Sequence, residues 1–328
     1  MKSKTYIVTG GCGYIGSQVC KLLSEQSSKV VVIDNLSTGS RKSLLYDEML
    51  VEGSIGDEGL LNEVFSTYPV EGVLHFAASI SVPESVAKPL EYYENNTTNT
   101  LKLLKACQKH NVQRFVFSST ASVYGEPTSE KVKETDPCLP NSPYGWSKLM
   151  AEQIIKDYGL QSSLRYVMLR YFNVAGASSD KKLGSRNESS RHVIKMACEA
   201  VRKNSEFTIH GDDYATKDGT GIRDYIHVED LAQAHLDALT YLGRDGQSCT
   251  LNCGYGYGFS VRDIIKSTED VVKRPVSAVV GPRRAGDIAS VVADNSLILR
   301  TLDWTPKFND LRYIIESALT WENQLRGK

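Results

Sequence analysis

The chain has no surplus of either charge: 38 Lys and Arg stand against 39 Asp and Glu, a formal net of −1. Without a basic stripe it carries no electrostatic footprint for nucleic acid. No apolar run reaches the roughly 18–20 residues that a membrane-spanning helix needs. Met1-Lys2-Ser3-Lys4 leads at once into a short apolar run that ends in glycines. A signal peptide would need a longer apolar stretch and a small-residue cleavage site. That run therefore reads as a first strand, and the chain as cytoplasmic. Internal repeats and low-complexity segments are absent. The seven cysteines (Cys12, Cys20, Cys107, Cys138, Cys198, Cys249, Cys253) are odd in number and scattered, with no CxxC pair and no adjoining His cluster. This excludes a disulfide framework and gives no structural-metal pattern, so we expect reduced thiols and no metal. Asn95, Asn96 and Asn187 open glycosylation sequons, but no secretory signal accompanies them.

What is present is length and alternation. At 328 residues the chain can bury a large core or divide into two lobes. Short β-branched runs at Thr5–Thr9, Lys29–Ile33, Met49–Glu52, Gly72–Phe76, Arg114–Ser118 and Tyr166–Arg170 read as strands. They alternate with helical stretches at Tyr14–Gln26, Glu58–Ser66, Pro89–His110 and Pro143–Tyr158. The pattern predicts right-handed βαβ units, hence an α/β fold with a doubly wound parallel Rossmann sheet. Nearly continuous apolar strands fit a sheet buried on both faces. After Phe172 the alternation breaks. Gly176–Ser190 reads as a loop, Arg191–Lys203 as a helix, and Phe207–Asp218 leads into a loop at Gly219-Thr-Gly221. Asp230–Leu242 reads as a helix returning to the first lobe, and Leu311–Leu325 as a final helix. We expect residues 1–175 with about 222–245 to form the first lobe. Residues 176–221 and 246–328 would form a smaller mixed α/β C-terminal substrate lobe.

The first strand and helix are joined by Gly10-Gly11-Cys12-Gly13-Tyr14-Ile15-Gly16. In this G-x-x-G-x-x-G, Gly10 permits a tight turn, Gly13 lets backbone approach a pyrophosphate, and Gly16 lets helix and strand pack closely. The helix N-terminus offers free N–H groups and partial positive charge to phosphates. Asp34 ends the second strand, eighteen residues beyond Gly16. A carboxylate there accepts from ribose hydroxyls and repels a 2′-phosphate, which favours NAD over NADP, although Arg41 and Lys42 lie close by.

Tyr144 and Lys148 stand four apart on the helical stretch Pro143–Tyr158, one turn apart on one face. A free phenol titrates near pH ~10 and is a poor base at neutrality. An adjacent ammonium should favour the phenolate. Thr120, closing Ser118-Ser119-Thr120, could bond the same substrate oxygen. Such a trio can take a proton from an alcohol while a hydride leaves the same carbon. Arg223 and Arg284 suit a pyrophosphate, because a guanidinium grips phosphate oxygens as a fork. Either could instead pair with Asp224 or Asp287. His227 is expected to be structural, and Trp146 to pack or to contact another subunit.

These motifs, with His75-Phe-Ala-Ala78 and Leu169-Arg-Tyr-Phe-Asn173, resemble the extended short-chain dehydrogenase/reductase family. Pro89-Leu-Glu-Tyr-Tyr93 before Asn95-Asn96, Arg223-Asp-Tyr-Ile-His227 and Arg283-Arg-Ala-Gly-Asp287 resemble in particular its UDP-glucose (UDP-galactose) 4-epimerase members. The resemblance runs essentially end to end. It implies a tightly held NAD contacted by Gly10, Gly13, Tyr14, Ile15, Gly16, Asp34, Asn35, Ile55, Phe76, Ala77, Ala78, Asn95, Lys148 and Phe172. It implies catalysis by Tyr144, Thr120 and Lys148, and a UDP-sugar held by Thr120, Tyr144, Asn173, Arg191, Arg223, Arg284, Asp287 and Val291. A homodimer through the Pro89–His110 and Tyr144 helices is also implied. The chain departs from the family at four places. Thr120 replaces the commoner Ser, Ser54 an Asp near the adenine, and Ile80 a frequent Lys. The shortened stretch before Arg191 lacks the uridine-site Asn, so Arg191 or His192 would substitute.

The implied reaction is redox-neutral. Tyr144 takes the proton of the sugar 4-hydroxyl as the C4 hydride passes to NAD. The resulting 4-keto sugar turns on its pyrophosphate tether, and hydride and proton return to the other face. The resemblance places Val291 where the family residue beside the sugar 2-substituent varies in bulk. Its modest bulk leads us to expect UDP-GlcNAc/UDP-GalNAc as substrates alongside UDP-Glc/UDP-Gal. A 4,6-dehydratase, the nearest rival, needs an acid directly after the catalytic Thr, where this chain has Ala121 and Ser122. A non-catalytic NAD sensor would have lost Tyr144 or Lys148.

Overall fold

The structure, a computed structural model, describes residues 4–187, 191–284 and 287–327. The stretch Ala285-Gly286 of the Arg283–Asp287 motif thus lies outside the described residues. Strands β1 (Thr5–Thr9), β2 (Lys29–Asp34), β3 (Met49–Glu52), β4 (Val70–His75), β5 (Arg114–Thr120) and β6 (Arg165–Tyr171) alternate with helices. These are α1 (Tyr14–Glu25), α2 (Glu58–Thr67), α3 (Val82–Ala87), α4 (Pro89–Tyr92), α5 (Asn99–Lys109) and α6 (Pro143–Leu160). Strand residues alternate between two cores. Tyr6, Val8, Val30, Val32, Val116, Val167 and Leu169 face one. Ile7, Val31, Ile33, Phe115, Phe117 and Met168 face the other, under α2, α5 and α6. Burial on both sides explains why these strands read as unbroken apolar runs.

The C-terminal part contributes β7 (Asn173–Ala175), α7 (Val193–Lys203), β8 (Phe207–His210), β9 (Ile222–Arg223), β10 (Tyr225–His227) and α8 (Val228–Gly243). Then follow β11 (Cys249–Cys253), β12 (Phe259–Ser260), α9 (Val261–Val272), β13 (Ala278–Gly281), β14 (Ser290–Val291), α10 (Ser296–Thr301) and α11 (Leu311–Arg326). Helix α8 packs on α1, β5 and β6.

The expected boundary at residue 245 needs correction. Strand β11 pairs in parallel with β6 and forms one edge of a seven-stranded sheet ordered β11-β6-β5-β4-β1-β2-β3. The run Cys-Thr-Leu-Asn-Cys has only one strongly strand-favouring residue, so its pattern alone did not mark it as a strand. What makes it one is the α8 crossover that delivers it beside β6.

The expected single helix over Pro89–His110 is divided. A π-helical turn spans Tyr93–Thr98 between α4 and α5. Such wide turns concentrate at functional sites because they re-aim side chains. Here Asn95 Nδ2 donates to Ser79 Oγ at 3.0 Å, and Asn96 Nδ2 to the Ser79 carbonyl at 2.9 Å.

Candidate active site

The strand–helix turn after β1 is shaped to hold a dinucleotide. Gly10 has φ +71°, and a Cβ there would lie 2.7 Å from the Ala77 nitrogen. A Cβ on Gly16 would collide with the Gly10 carbonyl. Gly13 begins α1 with no side chain to cap it. The first-turn N–H groups, including those of Tyr14 and Ile15, have no intrahelical acceptor and face outward as an anion cradle. Asp34, buried at the end of β2, accepts from the Cys12 N–H at 2.9 Å and the Leu36 N–H at 2.8 Å. Both oxygens keep a lone pair for ribose hydroxyls. Arg41 is paired with Glu52, so it is already engaged and not held ready for a 2′-phosphate. These residues fit NAD. Asn35 is exposed, its Oδ1 accepting from the Ser37 N–H at 3.1 Å. Ile55 is buried, and Phe76 packs on His235 with centroids 4.7 Å apart. Ala77 and Ala78 continue half-buried from β4. Ser54, in the family's Asp position, is used to cap a turn, accepting from the Gly56 N–H at 3.0 Å. Ile80 is 63 % exposed.

Tyr144, Lys148 and Thr120 converge at the C-terminal ends of β4, β5 and β6, where open parallel sheets bind ligands. Ser142 caps α6 by accepting from the Gly145 N–H at 3.2 Å, fixing the turn that carries Tyr144. Thr120 faces the Tyr144 hydroxyl and accepts from the Ser122 N–H at 3.1 Å. Its neighbours point elsewhere. Ser118 donates to the Tyr171 hydroxyl at 3.1 Å, and Ser119 to Glu152 at 2.6 Å. Lys148 Nζ lies 4.2 Å from the Phe117 ring centroid, and Tyr92 presents its edge to Tyr144.

The electrostatics differ from the simple expectation. Burial pushes the Tyr144 phenol up, with Tyr171 adding to the rise and the Thr120 hydrogen bond opposing it. Burial also pulls Lys148 down to about 7, partly offset by the Glu152 charge. In the protein alone burial thus presses both groups toward their neutral forms. The cause is desolvation, which sequence spacing does not reveal.

On the substrate side, β14 pairs with β9 so that Val291 lies opposite Arg223. Val291 is 7 % exposed and packs with Phe172, Val123 and Tyr124, linking the arginine strand to the turn after Thr120. Arg223 Nη2 is 3.5 Å from Asp287, and both remain partly open to solvent. Asp224 takes no part in that pair. It is buried and accepts from the Tyr255, Gly256 and Ala293 N–H groups at 3.0, 2.9 and 3.3 Å. Arg284 is exposed, and its carbonyl accepts from the Asp287 N–H at 3.2 Å. Asn173 is half-buried on β7. Arg191 is exposed, while His192 packs edge-on against Tyr225. His227 is buried, caps α8 through its Nδ1 and lies against Phe308, in a structural setting.

Sequence reasoning missed two groups. Asn96, beside the expected Asn95, is the buried one, and it also donates to Ser147 Oγ at 3.0 Å, tying the π turn to α6. The signal was the doubled Asn in an otherwise helical stretch. Glu152 and Arg170, an ion pair directly behind the site, lay in motifs whose charges were left without a role.

Residues 6–254 match a known family. The chain belongs to the NAD dependent epimerase/dehydratase family. Among members, it is 48 % identical over 324 residues to the UDP-glucose 4-epimerase of Azospirillum brasilense, covering 98 % of this chain and 93 % of that one. The crystal structure of UDP-glucose 4-epimerase from Brucella ovis in complex with NAD superposes with a TM-score of 0.93. It is 41 % identical and covers 97 % of this chain and 98 % of its own. The UDP-Glc/GlcNAc 4-epimerase of Campylobacter jejuni gives a TM-score of 0.86 at 41 % identity, covering 98 % and 100 %. The doubly wound parallel sheet is therefore that of the epimerase/dehydratase family.

Proposed function

We infer that this chain is an NAD-dependent isomerase that reversibly epimerises UDP-hexoses at C4 through a transient 4-keto sugar. The observation that carries the reading is the setting of Tyr144 and Lys148 one turn apart and buried on α6, with Thr120 facing the phenol and no carboxylic acid following Thr120. Ala121 and Ser122 begin a short 3₁₀ turn there, so the acid a dehydratase would need is missing. NAD, when bound, supplies the hydride-accepting ring and a positive charge. Tyr144 then exchanges the proton of the sugar 4-oxygen, Thr120 orients that oxygen, and Lys148 holds the ribose and offsets negative charge on the phenol. Arg223 and Arg284 would grip the UDP pyrophosphate, with Asp287 and Asn173 accepting from or donating to the sugar and ribose. This tether lets the keto sugar present either face.

Val291 extends the reading to N-acetylated substrates, since a valine leaves more room at the sugar 2-position than an aromatic would. We assign the chain a homodimeric state as well. Leu101 on α5 and Trp146 and Met150 on α6 are large apolar side chains 38 %, 39 % and 42 % exposed. Adjoining helices of this kind suit an isologous interface. Light scattering should give twice the mass of one chain, and a monomer at micromolar concentration would refute it. The activity itself is tested by incubating the protein with UDP-Glc or UDP-GlcNAc and separating products by chromatography. The 4-epimers are expected, whereas a 4-keto-6-deoxy product would assign the dehydratase.

A further inference from the structure

Arg170 and Glu152 form a pair that the reaction does not use directly. Glu152 lies one turn beyond Lys148 and two beyond Tyr144 on α6, and it is fully buried. Arg170, on β6, is 2 % exposed. It donates to both carboxylate oxygens, Nε to Oε1 at 2.9 Å and Nη2 to Oε2 at 2.6 Å. Ser119 adds a third donor to Oε1 at 2.6 Å. The remaining arm of Arg170 donates to the Tyr124 hydroxyl at 3.0 Å, which in turn donates to Asn252 Oδ1 at 2.6 Å. Strands β5, β6 and β11 thus fix the carboxylate from behind.

Lys148 is 3 % exposed. Among the described residues no carboxylate forms an ion pair with it, and its Nζ rests on the Phe117 ring. Glu152 and, one turn back, Tyr144 share its helix, Phe117 faces it from β5, and the His75 ring on β4 senses the Lys148 charge. Lys156, at the rim, approaches Glu152 at 3.9 Å. Among the described residues Glu152 is the anion whose charge Lys148 senses, and at interior dielectric an unengaged carboxylate one turn away would attract a buried ammonium strongly.

We propose that Arg170 is a positioning residue for the reaction, which by taking both oxygens of Glu152 withholds that anion from Lys148 and leaves the Lys148 amine free to face Tyr144 and the cofactor. It rests on the reading of Lys148 as an active-site cation. The lowered titration of Lys148 agrees with this placement.

The test is the titration of Lys148 itself, read by NMR on protein carrying [ε-¹³C]lysine and purified as it is isolated. Lys148→Arg identifies the resonance. In Arg170→Met the Lys148 midpoint should rise by about one pH unit or more, because Glu152 is released to it. In Glu152→Gln it should fall. In the double variant, which carries neither charge and so tolerates burial, it should return to within about half a unit of wild type. The pH profile of kcat should move in the same directions, and Arg170→Lys should restore most of the wild-type profile. A merely structural pair would lower activity and stability without moving the Lys148 midpoint. If Arg170→Met does not fold, Glu152→Gln decides, its Lys148 midpoint falling below that of both wild type and the double variant. A Lys148 midpoint in Arg170→Met or Glu152→Gln equal to that of wild type would overturn the proposal. Since the midpoint is read whichever reaction the protein catalyses, failure here is separable from failure of the epimerase reading.

Discussion

Burial drives the protons of Tyr144 and Lys148 toward neutrality from opposite sides. Removing the phenol hydroxyl in Tyr144→Phe should therefore cost ~10²–10⁴-fold in kcat, the usual worth of general acid–base catalysis, while NAD stays bound. Absorbance and product chromatography of the same sample check both halves. Thr120→Ser keeps the hydroxyl and should retain most activity, whereas Thr120→Val should lose roughly 10–100-fold. Lys148 also leaves a mark on stability. The unfolded chain binds its proton up to the ordinary lysine value, while the folded chain releases it near 7. The destabilising contribution is thus fully present below about pH 7 and disappears as pH rises toward about 10.5. Urea unfolding of cofactor-free protein should show a component rising with pH across that window, absent in Lys148→Met. An unchanged slope in that variant would show that the amine is not desolvated.

The parts most legible in the sequence are elements whose local chemistry and tertiary role agree. The Gly10–Gly16 turn was readable because each glycine answers a separate steric demand at one strand–helix junction. Gly16→Ala would drive a methyl into the Gly10 carbonyl and should abolish NAD retention, checked by cofactor release after denaturation. Elements decided by tertiary delivery were not readable. Strand β11 exists because α8 returns beside β6, and the π turn at Tyr93–Thr98 because Asn95 and Asn96 must reach Ser79. The site was legible to the extent that Tyr144, Lys148 and Thr120 carry distinctive spacing. Glu152 and Arg170 were not, because their partnership joins a helix and a strand eighteen residues apart.

The N-terminal sheet and the C-terminal elements share a buried core, and specific ties add to it. Asp224 is one: its carboxylate collects N–H groups from the segments after β11 and β14, and burial raises it to about 6. Asp224→Ala would strand three buried donors at about 1–3 kcal/mol each, so a loss of more than about 3 kcal/mol in urea unfolding is expected. Val291 is a second tie, sharing a buried cluster with Phe172 and Val123 while paired across from Arg223. Val291→Tyr should suppress turnover of N-acetylated UDP-hexoses while sparing the plain ones, and an equal effect on both pairs would remove its role in selection. All of this presupposes that the proton site, the cofactor cradle and the tethering arginines serve one redox-neutral cycle. The most direct test is to give the purified protein UDP-Glc and, separately, UDP-Gal, without added NAD, and follow both by chromatography. The same equilibrium mixture reached from both sides, with no 4-keto-6-deoxy sugar, is the predicted result. No interconversion even with NAD supplied, or a dehydrated product, would contradict it.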